Sequence, residues 1–191
     1  MIKIAIFGDS ITAGWNGQVA TNILKRELEM ALKNQYKLEA EVILFGVPGD
    51  DTNDAVKRLS AVKMANADYN VVFFGANDAS AHHEVSTADF KANLELIVAE
   101  LAGQIIMVTP PAVNEQRLDV RDRNNHNVEA YKEITLAVSN QHLLPTIDIY
   151  HQMKVYPGTN EFLQKDGLHF TQEGYQLLAF LIAAKVKSLR S

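Results

Sequence analysis

"IKIAIFGDSITAG" (residues 2–14) decides how the rest of the chain is read. Residues 2–7 are apolar except for Lys3, and the run stops at Gly8. A short, nearly continuous apolar run closed by glycine suits a strand whose sheet is covered on both faces. The Gly-Asp-Ser that follows leaves one hydroxyl at the strand tip, beside a residue with no side chain to obstruct approach. Ser10 is then a nucleophile, a phosphate-loop ligand or a turn residue, and a serine by itself does not choose among them.

Four similar runs follow: "AEVILFGV" (40–47), "YNVVFFG" (69–75), "QIIMVTP" (104–110) and "LPTIDIY" (144–150). Amphipathic stretches at 19–34, 51–62, 86–101, 124–140 and 171–189 separate or follow them, each with a helical period of apolar residues. Thr171 stands as N-cap of the last, three residues before Gly174. The strand–helix alternation predicts an α/β fold, a doubly wound three-layer α/β/α sandwich on a five-stranded parallel sheet. No repeat, low-complexity tract or linker divides it, so residues 1–191 are expected to form a single domain.

Bulk properties remove several function classes. The chain has 191 residues, 47% hydrophobic and 21% charged, with a formal net charge of −5. That balance argues against nucleic acid or an anionic membrane as partner. The most basic stretch, "RLDVRDRNN" (117–125), is diluted by aspartates and reads as a solvated loop or helix start. With no cysteine, disulfides, zinc–thiolate sites and thiol nucleophiles are excluded together. The apolar run at the N-terminus is too short for a signal peptide or a membrane span, and the expected location is cytoplasmic.

Ligands of open α/β sheets sit beyond the carboxyl ends of the strands. The polar residues of this chain gather in those loops: "GDS" after the first strand, "GVPGDDT" (46–52) after the second, "GAND" (75–78) after the third, and "DGLHFT" (166–171) before the last helix. A serine hydroxyl attacks well only when a base takes its proton, and imidazole suits that task near neutrality. His169 supplies the base. Asp166, three residues earlier, can hold the imidazole in one tautomer. Attack on an ester carbonyl develops an oxyanion, for which the backbone N–H groups of Ser10 and Gly49 and the side-chain amide of Asn77 are candidate donors.

"GDSIT", "GVPGDDT", "GAND" and "DGLH" resemble, in this order, the four sequence blocks of the SGNH hydrolases, the GDSL esterases and lipases. The resemblance runs from Gly8 to His169. It implies Ser10 as nucleophile, Gly49 and Asn77 in the oxyanion hole, Asp166 and His169 as acid and base, and the flavodoxin-like strand order 2-1-3-4-5. "VVFFGANDAS", "MVTPP" and "FLQKDGLHFTQEGYQLL" are further similar to the branch of isoamyl-acetate-hydrolysing esterases. The implied activity is hydrolysis of short-chain, acetyl-type carboxylic esters through an acyl-enzyme, without metal or cofactor. Carbohydrate O-deacetylation and thioester hydrolysis are the alternatives inside the family. The partner is a small-molecule ester, and a homo-oligomer stays open. One departure is Pro48, where block two often carries Ser or Ala before its glycine; it restricts the backbone that presents Gly49.

Other polar residues invite simpler roles. Asp9 and Asp78 would repel an oxyanion and are expected to anchor loops by accepting backbone N–H bonds. His82 and His83 diverge as neighbours and form a poor chelate, so they are read as histidines lining or flanking the cleft. Trp15 and Phe45 wall the pocket or fill the core, and Asn114 is a rim candidate. A flavin-binding flavodoxin-like module would leave "DGLH" without a role. A phospho-receiver would need a lysine after the fifth strand, where "TIDIYHQ" has none.

Overall fold

The computed structural model of the chain describes residues 1–118 and 122–190. Residues 119–121, inside the basic stretch, lie outside the described residues. Strands β1 (Ile2–Gly8), β2 (Ala40–Gly46), β3 (Tyr69–Phe73), β4 (Gln104–Val108) and β5 (Thr146–Ile147) form one parallel sheet in the order β2-β1-β3-β4-β5. This is the expected α/β fold and strand order. Chain direction reverses its winding between β1 and β3, so the loops after those two strands meet at the topological switch point.

The strand pattern explains the two layers. Ile2, Ile4 and Ile6 of β1 point into one hydrophobic cluster, while Ala5 and Phe7 point into the other. Val71 and Phe73 alternate with Val72 in β3, and Ile106 and Val108 with Met107 in β4. Period-two alternation with apolar residues on both faces is what a sheet sandwiched between helices requires. On one side lie α1 (Ile23–Tyr36) and α6 (Gln172–Ser188), packed on each other. Leu24, Leu28 and Leu32 of α1 and Leu178, Ile182 and Val186 of α6 are fully buried at helical spacing. Such side chains contribute roughly 1.5–3 kcal/mol each. The other side carries α2 (Thr52–Ala65) and α3 (Thr87–Glu100), with α4 (Asn125–Gln141) packed on α3.

Helix starts are set by side chains. Asp51, Ser86, Asn124 and Thr171 each accept a backbone N–H of the following first turn, Thr171 from Gly174 as expected. Helix α1 begins four residues later than its apolar pattern suggests. Asn16 Oδ1 takes the N–H groups of Gln18 and Val19, and Thr21 Oγ1 donates to Gly14 O, which holds that segment as a loop. The fifth strand needs the largest correction. "LPTIDIY" pairs with β4 over Thr146–Ile147 only. Asp148 then caps a short helix, α5 (Ile149–Val155), by accepting His151 N–H, and Ile149, Tyr150 and Met153 bury one face of it. A run of apolar residues this short fits either state, and the capping aspartate decides. Among the described residues, no helix is long and apolar enough to cross a membrane.

Candidate active site

The loop after β1 is tightly folded. Gly8 lies so close to neighbouring chain that an added Cβ would fall 2.1 Å from Thr12 Oγ1 and 2.6 Å from Phe73 O, so no larger residue fits. Asp9 Oδ1 accepts Ile11 N–H at 2.8 Å, Ala13 N–H bonds Asp9 O, and Trp15 N–H bonds Ser10 O. Tyr175 of α6 donates its hydroxyl to Ile11 O at 3.0 Å. These bonds fix Ser10 at the strand tip, 7% exposed.

His169 reaches it from the far end of the chain. His169 Nε2 lies 2.9 Å from Ser10 Oγ, and His169 Nδ1 lies 2.7 Å from Asp166 Oδ2. Asp166 Oδ1 takes the backbone N–H groups of Leu168 and His169. Burial pushes the Asp166 carboxyl upward, but the bonds from the His169 ring and the two N–H groups outweigh it, and it stays below the ordinary carboxylate value. An ionised carboxylate only accepts, so Nδ1 carries the proton and Nε2 is left to accept the Ser10 hydroxyl proton. Gln164 ties this loop down, donating to Trp15 O and Phe170 O.

Gly49 and Asn77 flank the same strand ends. Asp50 N–H bonds Val47 O at 3.2 Å, closing a turn with Pro48 and Gly49 at its centre. Gly49 has φ +85° with no atom near its missing Cβ, so glycine is there for backbone angle. Proline followed by a glycine of that φ is the preferred occupancy of a type II turn. Pro48 therefore builds the turn that carries Gly49. Asn77, buried at 6% exposure, donates Nδ2 to Asp50 O at 2.8 Å and so pins its own loop to this turn. One Nδ2 hydrogen is engaged there, and an amide has two.

Asp9 and Asp78 anchor loops as expected. Asp78 Oδ1 accepts Thr52 N–H and the Thr52 hydroxyl, and Oδ2 accepts Gly75 N–H. Burial raises Asp78, and raises Asp9 to about 6 even though the Ile11 N–H bond opposes it. Of the two histidines, His82 lines the cleft, whereas His83 reaches the cap of α2, with Nδ1 3.1 Å from Asp51 Oδ2. Trp15 is half-buried with its ring centroid 6.5 Å from that of His169, whereas Phe45 packs on the core. Asn114 braces the site: its N–H bonds Gly167 O, and its side chain pairs with Asn160.

Two arginines escape a reading by sequence pattern. Arg58 of α2 pairs with Asp50 and donates to Phe45 O and Gly8 O, clamping β1, β2 and the Gly49 turn together. Arg123 and Asp122 come from the stretch read as solvated, yet each side chain is only 9% exposed. They pair with each other, and Ser80 donates its hydroxyl to Asp122. Burial raises the Asp122 carboxyl, but the bonds from Arg123 and Ser80 prevail and hold it at about 2. Mutual neutralisation lets both charges leave water. Nothing in their spacing distinguishes them; a cap at Asn124 immediately afterwards was the one local cue.

A cleft of about 230 Å³ opens over His169 and Asp166, walled by His82, Leu118, Leu168 and the Asp122–Arg123 pair. Residues 6–177 match the model of the GDSL-like Lipase/Acylhydrolase family. The chain is 28% identical to the GDSL esterase/lipase At5g45920 of Arabidopsis thaliana, over 97% of this chain and 86% of that protein. It is 27% identical to an isoamyl acetate-hydrolyzing esterase of Schizosaccharomyces pombe, over 96% of this chain and 74% of the relative. A crystal structure of the lipase/acylhydrolase from Enterococcus faecalis superimposes with a TM-score of 0.93 at 40% identity, covering 98% of this chain and 96% of the other.

Proposed function

Since the chain belongs to the GDSL-like lipase/acylhydrolase family, we propose that it is a serine esterase that cleaves short-chain, acetyl-type carboxylic esters through an acyl-enzyme. The observation that carries this reading is the unbroken relay from Ser10 Oγ through His169 to Asp166, at 2.9 and 2.7 Å. Ser10 Oγ attacks the ester carbonyl while His169 Nε2 takes its proton. Asp166 keeps the imidazole in the required tautomer and balances the imidazolium that forms. Negative charge on the carbonyl oxygen is met by the N–H groups of Ser10 and Gly49 and the second Nδ2 hydrogen of Asn77. Collapse of the tetrahedral intermediate breaks the bond to the leaving alcohol, which receives the proton from His169. A water then repeats the sequence on the acyl-serine, and the carboxylic acid departs.

Leu118 and Leu168, in the cleft wall beside His169, offer a short acyl chain an apolar surface. The name of the fission-yeast relative, which acts on an acetate ester, supports the same substrate class. The test is a series of p-nitrophenyl esters from acetate to decanoate, with acetylated xylose and an acetyl thioester as further arms. The expected result is a kcat/KM that is highest for acetate and falls at least about tenfold by octanoate, since one methylene in a pocket is worth roughly 1–3 kcal/mol. A maximum at the long chains, or at the sugar or thioester arm, would replace the substrate class.

A further inference from the structure

We propose that Arg123 is a positioning residue for ester hydrolysis, holding the Asn77 amide with its nitrogen toward the oxyanion and polarising it there. The inference rests on the reading of Asn77 as an oxyanion donor. An Asn amide presents nearly the same shape when rotated by half a turn, but its two ends have opposite polarity. Facing the oxyanion with oxygen would repel the charge it is meant to hold. Arg123 Nη1 donates to Ala76 O at 2.8 Å and reaches Asn77 Oδ1 at 3.5 Å. Guanidinium has no acceptor, so only the oxygen end of the amide is tolerated on that side. On the opposite side Asp50 O accepts from Asn77 Nδ2 at 2.8 Å, and a carbonyl tolerates only the nitrogen end. A flipped amide would meet an unsuitable partner at both ends.

Arg123 is itself held in place. Its Nε and Nη2 bond the two oxygens of Asp122 at 3.2 and 3.0 Å, and Ser80 and the Ala81 N–H secure Asp122 by its side chain and carbonyl. A buried ion pair of this kind seldom adds net stability over apolar residues of equal volume. Its cation lies instead where the charge has a use. A cation at the amide oxygen withdraws electron density and makes the Nδ2 hydrogens stronger donors, as hydrogen bonds in series do. That gain is largest when the oxyanion is fully formed, so it acts on the chemical step and not on substrate binding.

The experiment is a double-mutant cycle on p-nitrophenyl acetate: wild type, Arg123→Met, Asn77→Ala and the double variant, with thermal unfolding of each. Asn77→Ala is expected to lower kcat by roughly 10²–10³. Arg123→Met is expected to lower kcat by roughly tenfold or more with KM changed by less than about threefold. In the Asn77→Ala background, Arg123→Met should cost nothing further within about threefold, because its target is gone. Equal losses in both backgrounds, an effect confined to KM, or full kcat in the folded Arg123→Met protein would overturn the proposal. Full kcat in Asn77→Ala would remove the oxyanion reading beneath it, a result distinct from additive losses. Should Arg123→Met not fold, Arg123→Lys keeps the charge but not the fork. It should lose at least about threefold in kcat, again only when Asn77 is present, and a loss equal in both backgrounds overturns the proposal.

Discussion

Asp9 sits beside the serine, 2% exposed, with its carboxyl raised by burial from 3.8 to about 6. The folded state thus binds this proton more tightly than the unfolded chain does. Stability from that preference is complete below about pH 3.8 and is lost as pH rises through 6, where the buried carboxylate ionises. Asp9→Asn keeps an oxygen for Ile11 N–H and removes the charge. It should therefore raise the unfolding free energy at pH 7.5 by up to on the order of 3 kcal/mol, and leave it nearly unchanged at pH 3.5. Paired urea titrations at the two pH values measure this, and a stabilisation larger at the acid end would contradict it. Asp166 behaves in the opposite way. Held below the usual carboxylate range, it remains ionised near neutrality. Between neutrality and about pH 5 the carboxyl beside the serine that gains a proton is therefore Asp9 and not Asp166, so Asp9→Asn should alter the slope of kcat/KM on acidification, and an unchanged slope would contradict this. Ser10, His169, Asp166 and Asn77 stood out in the sequence because their residue types follow from ester chemistry and their positions from two strand ends and the loop before the last helix. Arg58 and Arg123 did not, because an arginine that neutralises a neighbour and one that faces water look identical until the chain is folded.

Among the elements, α2 joins scaffold to site. Its Asp51 cap starts it directly after the Gly49 turn, and Arg58, two turns on, reaches back to Asp50, Phe45 O and Gly8 O. Arg58→Met should cost about 2–4 kcal/mol of stability, since a half-buried carboxylate and two carbonyls lose a charged donor together. Chemical denaturation checks it, and a loss under about 0.5 kcal/mol would show the clamp to be slack. Period and length sufficed to find β1 to β4 and the five long helices, because each buries a face wide enough to leave a pattern. The end of β5 and the whole of α5 were hidden for a physical reason: Ile147, Ile149 and Tyr150 bury in either geometry, and the choice falls to bonds made only in the folded chain, in which Asp148 accepts from His151 N–H and the Thr109 hydroxyl while Tyr150 N–H bonds Thr109 Oγ1. The start of α1 was hidden likewise, by polar contacts of Asn16 and Thr21 that belong to the loop.

At the scale of the molecule, the sheet brings together groups that the chain keeps apart. Ser10 and His169 are separated by 159 residues and meet at 2.9 Å. They do so because β1 is an interior strand at the switch point and α6, packed on α1, delivers the loop before it to the same sheet edge. The order of the sequence blocks carried that convergence, whereas the shape of the cleft depends on loops whose conformation no periodicity records. The most direct measurement is the rate of p-nitrophenyl acetate hydrolysis by purified Ser10→Ala beside wild type, with both shown to be folded by circular dichroism and thermal unfolding. A fall of at least about a thousandfold is the predicted result, in keeping with the loss of a nucleophile that acts as a unit with its base. Turnover within about tenfold of wild type from the folded variant would contradict the assignment of Ser10 as the attacking group.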